Sequence, residues 1–115
     1  DYEGMIFHEW GADFPDANGM LLPLFHSRNV PPQNNGSFYN NPDVDALLDA
    51  ADADVSEARI DTLIQAQKLI AADMPIIWLD HFKWFLPMSA GLTGYSIGPL
   101  FYWDSFLRDL TVEGA

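Results

Sequence analysis

Trp10 and Asp13 stand three residues apart in the run Trp10-Gly11-Ala12-Asp13-Phe14-Pro15-Asp16. The run follows an apolar stretch, Met5-Ile6-Phe7. A strand that ends this way carries an indole and a carboxylate to its rim. A flat aromatic face beside a fixed negative charge suits a ligand with an amine next to a side chain. A carboxylate that is partly desolvated pairs with an ammonium through a charge-assisted hydrogen bond, stronger than a neutral one. On residue types alone two roles are open to Asp13: amine anchor, or cap of the turn that follows. Trp10 also has two, because Trp is more often a largely buried structural residue than a pocket wall.

Other chemistry finds less support. There is no Cys, hence no thiol nucleophile and no disulfide framework. None of the serines lies in a Gly-x-Ser-x-Gly context. Asp13 and Asp16 could act as a carboxylate pair, although their spacing on a turn says nothing about their distance. His8, His26 and His81 are not spaced like a metal-binding helical pair. Counted as a calcium loop from Asp52, the sixth and twelfth places hold Glu57 and Leu63, which fails the pattern. Asn35-Gly36-Ser37 fits a glycosylation sequon, but its plainer meaning is a turn. No Gly-rich phosphate loop follows a strand, and neither a metal nor another cofactor is expected.

The 115 residues suffice for one modest core, and 49% hydrophobic content marks a globular sequence. Five Lys and Arg face seventeen Asp and Glu, a formal charge of -12. Such a surface repels phosphate backbones and argues against nucleic acid as a partner. No apolar run approaches the roughly 18 to 20 residues of a membrane span, so direct membrane insertion is not expected. The opening Asp1-Tyr2-Glu3 lacks a charged-then-apolar leader. A signal peptide is therefore expected to be absent or already removed, and the chain reads as a piece of a longer protein.

The elements that would position Trp10 and Asp13 follow from pattern. Tyr2 to Trp10 reads as a strand buried on both faces. Pro15 to Phe25 allows one short helical turn, limited by Pro23. Ser27 to Asn41 is a long polar loop, carrying Phe38 and Tyr39 near its end; such loops are often functional. Asn41-Pro42 predicts a helix start, with Val44, Leu47, Leu48 and Ala51 on its apolar face. A second helix is expected from Asp54, capped by Asp54 and Glu57 and ended by Pro75. Its predicted face is Ile60, Leu63, Ile64, Gln67, Ile70, Ala71 and Met74. Met74 to Leu79 and Phe82 to Met88 read as strands, Gly91 and Gly94 as a turn, Tyr95 to Ile97 as a short extended piece. Phe101 to Leu107 is aromatic and irregular, and Leu110 to Glu113 is a last possible strand. The predicted class is α/β: a mixed sheet with a helical hairpin on one face.

The order of these features resembles a known family. An apolar strand leads to Trp10-Gly11-Ala12-Asp13-Phe14-Pro15-Asp16. Leu24-Phe25, an Asn/Gly loop and Phe38-Tyr39-Asn40-Asn41-Pro42-Asp43-Val44-Asp45 follow. Then come Gln65-Ala66-Gln67-Lys68-Leu69-Ile70, Asp73-Met74-Pro75-Ile76-Ile77 and finally Gly94-Tyr95. This set is similar to the C-terminal part of the family 5 extracellular solute-binding proteins, the dipeptide, oligopeptide and nickel receptors of ABC importers. The resemblance covers almost all of the chain.

It implies the C-terminal part of a two-lobed periplasmic-binding-protein (type II-like) fold that closes on its ligand by hinge motion. Residues 1–90 would form a lobe with the helical hairpin, and residues 91–115 an extension returning to the other lobe. In peptide-binding members the acidic residue three after this Trp holds the ligand's α-amino group; here that is Asp13. Trp10, Ala12, Phe38 and Tyr39 would line the pocket. The commoner Asp-Pro ending of the motif is Asp16-Ala17 here. The resemblance further implies no enzymatic turnover, a peptide or other small ligand and an ABC permease as partner. Its implied location is periplasmic or extracellular, with a lipid anchor through a missing N-terminus left open. A nickel-chelate or sugar receptor of the same fold is the first alternative. A hydrolase fragment using Asp13 and Asp16 is the second.

Overall fold

Asn41 opens the best-patterned element. Its side-chain oxygen accepts from the backbone N–H groups of Asp43 and Val44, and Pro42 takes the first helical position. Helix α2, Pro42–Ala53, follows, with Asp43 and Asp45 in the first turn, where the helix dipole favours negative charge. Val44, Leu48 and Ala51 are buried on one face, and Leu47 packs against that cluster, as the spacing predicts. The computed structural model describes residues 4–81, 83, 85–96 and 109–112. Contacts divide the chain into two units, Asp1–Ile77 and Trp78–Ala115.

The first unit holds three helices: α1 (Asn18–Phe25), α2, and α3 (Arg59–Asp73). Helices α2 and α3 form the expected hairpin. Their small buried residues, Ala51 and Ala66, let the two backbones approach closely. Helix α1 runs antiparallel to α2: Asn18 at its start bonds Asp52, and Ser27 just past its end bonds Asp45. Leu21, Phe25, Val44, Leu48, Leu63 and Ile70 fill the space between the helices with Ala51 and Ala66.

Several expectations change. Helix α1 is a full eight residues and continues through Pro23 instead of stopping at it. Helix α3 starts at Arg59, not near Asp54. The Asp54 carboxylate instead accepts from the Ser56 N–H and hydroxyl, a local turn that competes with the helix start. On α3 the buried positions are Leu63, Ala66 and Ile70; Ile60, Ile64 and Met74 are exposed. The seam against α2 is thus narrower than the predicted face. It follows an i, i+3, i+7 line along the helix.

The mixed sheet is not found among the described residues. Residues 5–10 join no ladder, and Met5 is 92% exposed. Ile77 is 70% exposed in the predicted strand from Met74 to Leu79, which likewise joins no ladder among the described residues. A strand forms only where a neighbouring segment takes up its N–H and C=O groups in a ladder. The same holds for the described part of Phe82 to Met88; Phe82 and Trp84 lie outside the described residues.

Among its described residues the second unit contains a two-residue antiparallel pairing. Strand β1 (Leu92–Thr93) pairs with β2 (Thr111–Val112), Leu92 opposite Val112 and Thr93 opposite Thr111. Strand β2 falls within the predicted Leu110 to Glu113. Gly94 follows β1 with φ 77°, and a Cβ there would strike the Asp109 carbonyl, so glycine is required. The expected Phe101 to Leu107 segment lies outside the described residues, as does Ile97. No helix among the described residues is long and apolar enough to cross a membrane.

Candidate functional site

The run from Trp10 to Asp16 is tied down on both flanks of Asp13. On one flank the Trp10 indole N–H donates to the Gly19 carbonyl at 3.1 Å, and His8 meets the indole edge-on. On the other flank Asp16 carries two loads. Its Oδ1 accepts from the Asn18 backbone N–H at 2.7 Å. Both carboxylate oxygens also take the Arg59 guanidinium, with Nη2 to Oδ1 at 3.0 Å and Nη1 to Oδ2. The fork is the strong, planar form of an ion pair. Arg59 further donates from Nε to the Ala51 carbonyl, so the pair ties the run to the α2–α3 junction. Phe14 lies over Gly19, where a Cβ would come within 3.3 Å of the ring.

Asp13 sits in the bend between these ties. Its side chain is exposed and has no hydrogen-bond or ion-pair partner among the described residues. Ala12 beside it is half-buried. The two carboxylates of the run therefore differ in kind. Arg59 holds Asp16 below its ordinary pKa, chiefly through the side-chain hydrogen bond. A carboxylate so engaged is not a free base, which weighs against the Asp13–Asp16 pair as hydrolytic machinery.

That depression has a measurable consequence. Because the folded-state pKa of Asp16 is lowered, the ion pair's contribution is complete above 3.8, the value for a free carboxyl. It is lost as pH falls through the depressed folded value. In acid denaturation, Asp16→Asn should make the protein less stable at neutral pH and flatten its loss of stability below 3.8. An unchanged acid profile would show that the pair contributes nothing.

The loop from Ser27 to Asn41 is organised by Asn35, whose side chain is fully buried. Its Nδ2 donates to the His26 carbonyl at 3.2 Å and the Tyr39 carbonyl at 2.9 Å. Its Oδ1 accepts from the Tyr39 N–H and the Ser37 hydroxyl. A side chain held this way is closed to glycosylation, so the Asn35-Gly36-Ser37 match is a turn. The two aromatic candidates in the loop then part. Tyr39 stands edge-on to Phe25, and its hydroxyl donates to Asp73 Oδ2 at 2.6 Å. Burial and that bond push the Tyr39 hydroxyl up to about 12. Asn41 Nδ2 reaches the same Asp73 oxygen at 2.7 Å, and the two donors hold the Asp73 carboxyl below its ordinary range. Phe38, by contrast, leaves its ring 59% exposed from a backbone at φ 55°. A left-handed conformation is uncommon for a bulky residue and is kept only where neighbours impose it.

Tyr39→Phe should cost about 1 kcal/mol, the net worth of one hydrogen bond. Chemical denaturation checks it. No change would mean that the loop is held by Asn35 alone.

Curated relatives match most of the chain. The chain is 36% identical over 97 residues, 83% of its length, to the glutathione-binding protein GsiB of Pectobacterium atrosepticum. The same identity and coverage hold for the glutathione-binding protein GsiB of Salmonella typhimurium. It is 30% identical over 101 residues, 87% of its length, to the "Probable D,D-dipeptide-binding periplasmic protein DdpA" of Escherichia coli K12. The chain belongs to the family 5 extracellular solute-binding proteins. It spans 19% of the length of each of these relatives. No family model and no solved structure matches it.

The three histidines differ in their surroundings. His8 meets the Trp10 indole edge-on, and His81 is exposed in the second unit. His26 is buried: Nδ1 accepts the Arg28 N–H at 3.1 Å and Nε2 faces Asp49 at 3.2 Å. No group of three or more His, Asp or Glu among the described residues could hold a metal ion. Two contributors escaped the sequence reading, Arg59 and Asn35. Arg59 had a visible signal. Only five basic residues serve this acidic chain, so each is a candidate to lock a carboxylate. Asn35 had none beyond its turn composition.

Proposed function

We propose that this chain is the C-terminal part of the substrate-binding component of an ABC importer and that it captures peptides by binding, without turnover. Residues 1–90 belong to one lobe with the helical hairpin, and residues 91–115 return to the other lobe. The lobes close on the ligand, and the closed form docks on the permease outside the cytoplasmic membrane. Asp13 takes the ligand's ammonium. Trp10 and Ala12 border it, and Phe38 contributes apolar wall from the loop. Tyr39 braces that loop through Asp73.

The observation that carries this reading is the contrast between the two carboxylates. Asp16 is neutralised by Arg59, while Asp13 is displayed from an anchored bend with its charge unmatched. A charge kept exposed on a rigid mount is ready for a cation that arrives from outside. The mount also has a scale. Trp10 is fixed at Gly19 and Tyr39 at Phe25, six residues along α1, about 9 Å on the helix axis. An extended peptide of two to three residues covers about that length. The relatives' names, for glutathione and for a D,D-dipeptide, agree with a short peptide ligand.

Native mass spectrometry of the full-length protein, purified without added ligand, tests the reading. The expected result is a co-purified amine-bearing peptide of a few residues. A bound sugar, or a metal chelate with no amine, would replace the peptide assignment.

A further inference from the structure

Helix α1 contains a proline six residues in, and a proline has no N–H to give. In an unbroken helix the N–H of residue 23 would bond the carbonyl of residue 19. Pro23 cannot, and its ring also pushes against that carbonyl. The Gly19 oxygen is therefore left without its helical donor. The Trp10 indole N–H occupies it at 3.1 Å. Gly19 itself is buried, so an unsatisfied oxygen there would be costly. The proline and the indole are complementary: one creates the acceptor, the other uses it, and Asp13 follows three residues after the indole.

Resting on the receptor reading above, we propose that Trp10 is a positioning residue for Asp13, recruited by the carbonyl that Pro23 frees in α1. The indole N–H fixes where the bend leaves the helix, and so fixes where the carboxylate meets a ligand amine. A ring that merely filled space would not need this bond. A ring that only lined the pocket would be indifferent to residue 23, thirteen positions away in sequence.

The proposal makes stability and binding move in opposite directions. Pro23→Ala restores a backbone donor to Gly19 and removes the ring's pressure on its carbonyl. The helix gains, and the indole must share the Gly19 oxygen with a backbone donor, which weakens its hold. In the full-length protein, Pro23→Ala should raise the thermal midpoint. It should weaken binding of a mixed tripeptide library with free amines by about 3- to 10-fold, the worth of one hydrogen bond. The preference for free over N-acetylated tripeptides should fall with it. Trp10→Phe, which keeps the ring and deletes the donor, should lose a similar factor. The double variant should bind no worse than Trp10→Phe alone, because Pro23→Ala acts through the indole. Full binding and full amine preference in Pro23→Ala, or additive losses in the double variant, would overturn the proposal while leaving the receptor reading standing. A wild-type protein that binds neither library would overturn the receptor reading, and this inference with it.

Discussion

Asp13→Asn in the full-length protein should cost peptides with a free amine about 2 to 5 kcal/mol of binding, on the order of 30-fold or more. N-acetylated peptides should lose far less. The substitution keeps the shape of the side chain and removes only its charge. What it deletes is a charge-assisted hydrogen bond to the ammonium. The neighbouring carboxylate cannot compensate, because both oxygens of Asp16 are engaged by Arg59 and one by Asn18 as well. Folding stability should hardly change, since Asp13 makes no described contact that would be lost. Equal loss for both peptide classes by calorimetry would count against the anchor role.

Phe25→Ala should destabilise the first unit by about 3 to 5 kcal/mol. Phe25 is the largest of the fully buried side chains and ends α1 inside the cluster shared with α2 and α3. It also carries the edge-on contact with Tyr39, so its loss opens a cavity and frees the brace of the loop that presents Phe38. Urea titration of the full-length protein should show the unit unfolding earlier. A shift worth less than about 1 kcal/mol would mean that the helices repack into the gap.

These two residues also mark what was legible in the sequence. Asp13 stood out as a carboxylate three residues after a Trp, open on residue types alone to an anchor or a capping role, and the ordered motifs around it led to the right family. The α2 start was legible because Asn41 and Pro42 act locally: a cap and a fixed φ need no tertiary partner. Local chemistry also explains the misses. At Asp54 a serine two residues on competed for the carboxylate and moved the start of α3. At Pro23 a break was expected, yet a donor from nine residues earlier in the chain satisfies the freed carbonyl. The predicted strands failed for a non-local reason. Met5 to Phe7 and Ile77 to Leu79 have strand composition, but pairing is a property of two segments, and the described residues supply no second one. The relatives are more than four times as long as this chain, which leaves room for partners that the 115 residues do not contain. The scarcity of basic residues marked Arg59 as a candidate to lock a carboxylate, but its choice of Asp16, 43 residues away in sequence, is a contact that no periodicity encodes.

The measurement that bears most directly on the receptor mechanism is a crystal structure of the full-length protein with a free-amine tripeptide bound. The account predicts the ligand nitrogen about 2.7 to 2.9 Å from an Asp13 oxygen, the Phe38 ring against the ligand, and Asp16 still paired with Arg59. A peptide seated with its amine elsewhere, and Asp13 facing bulk water in the closed form, would contradict it.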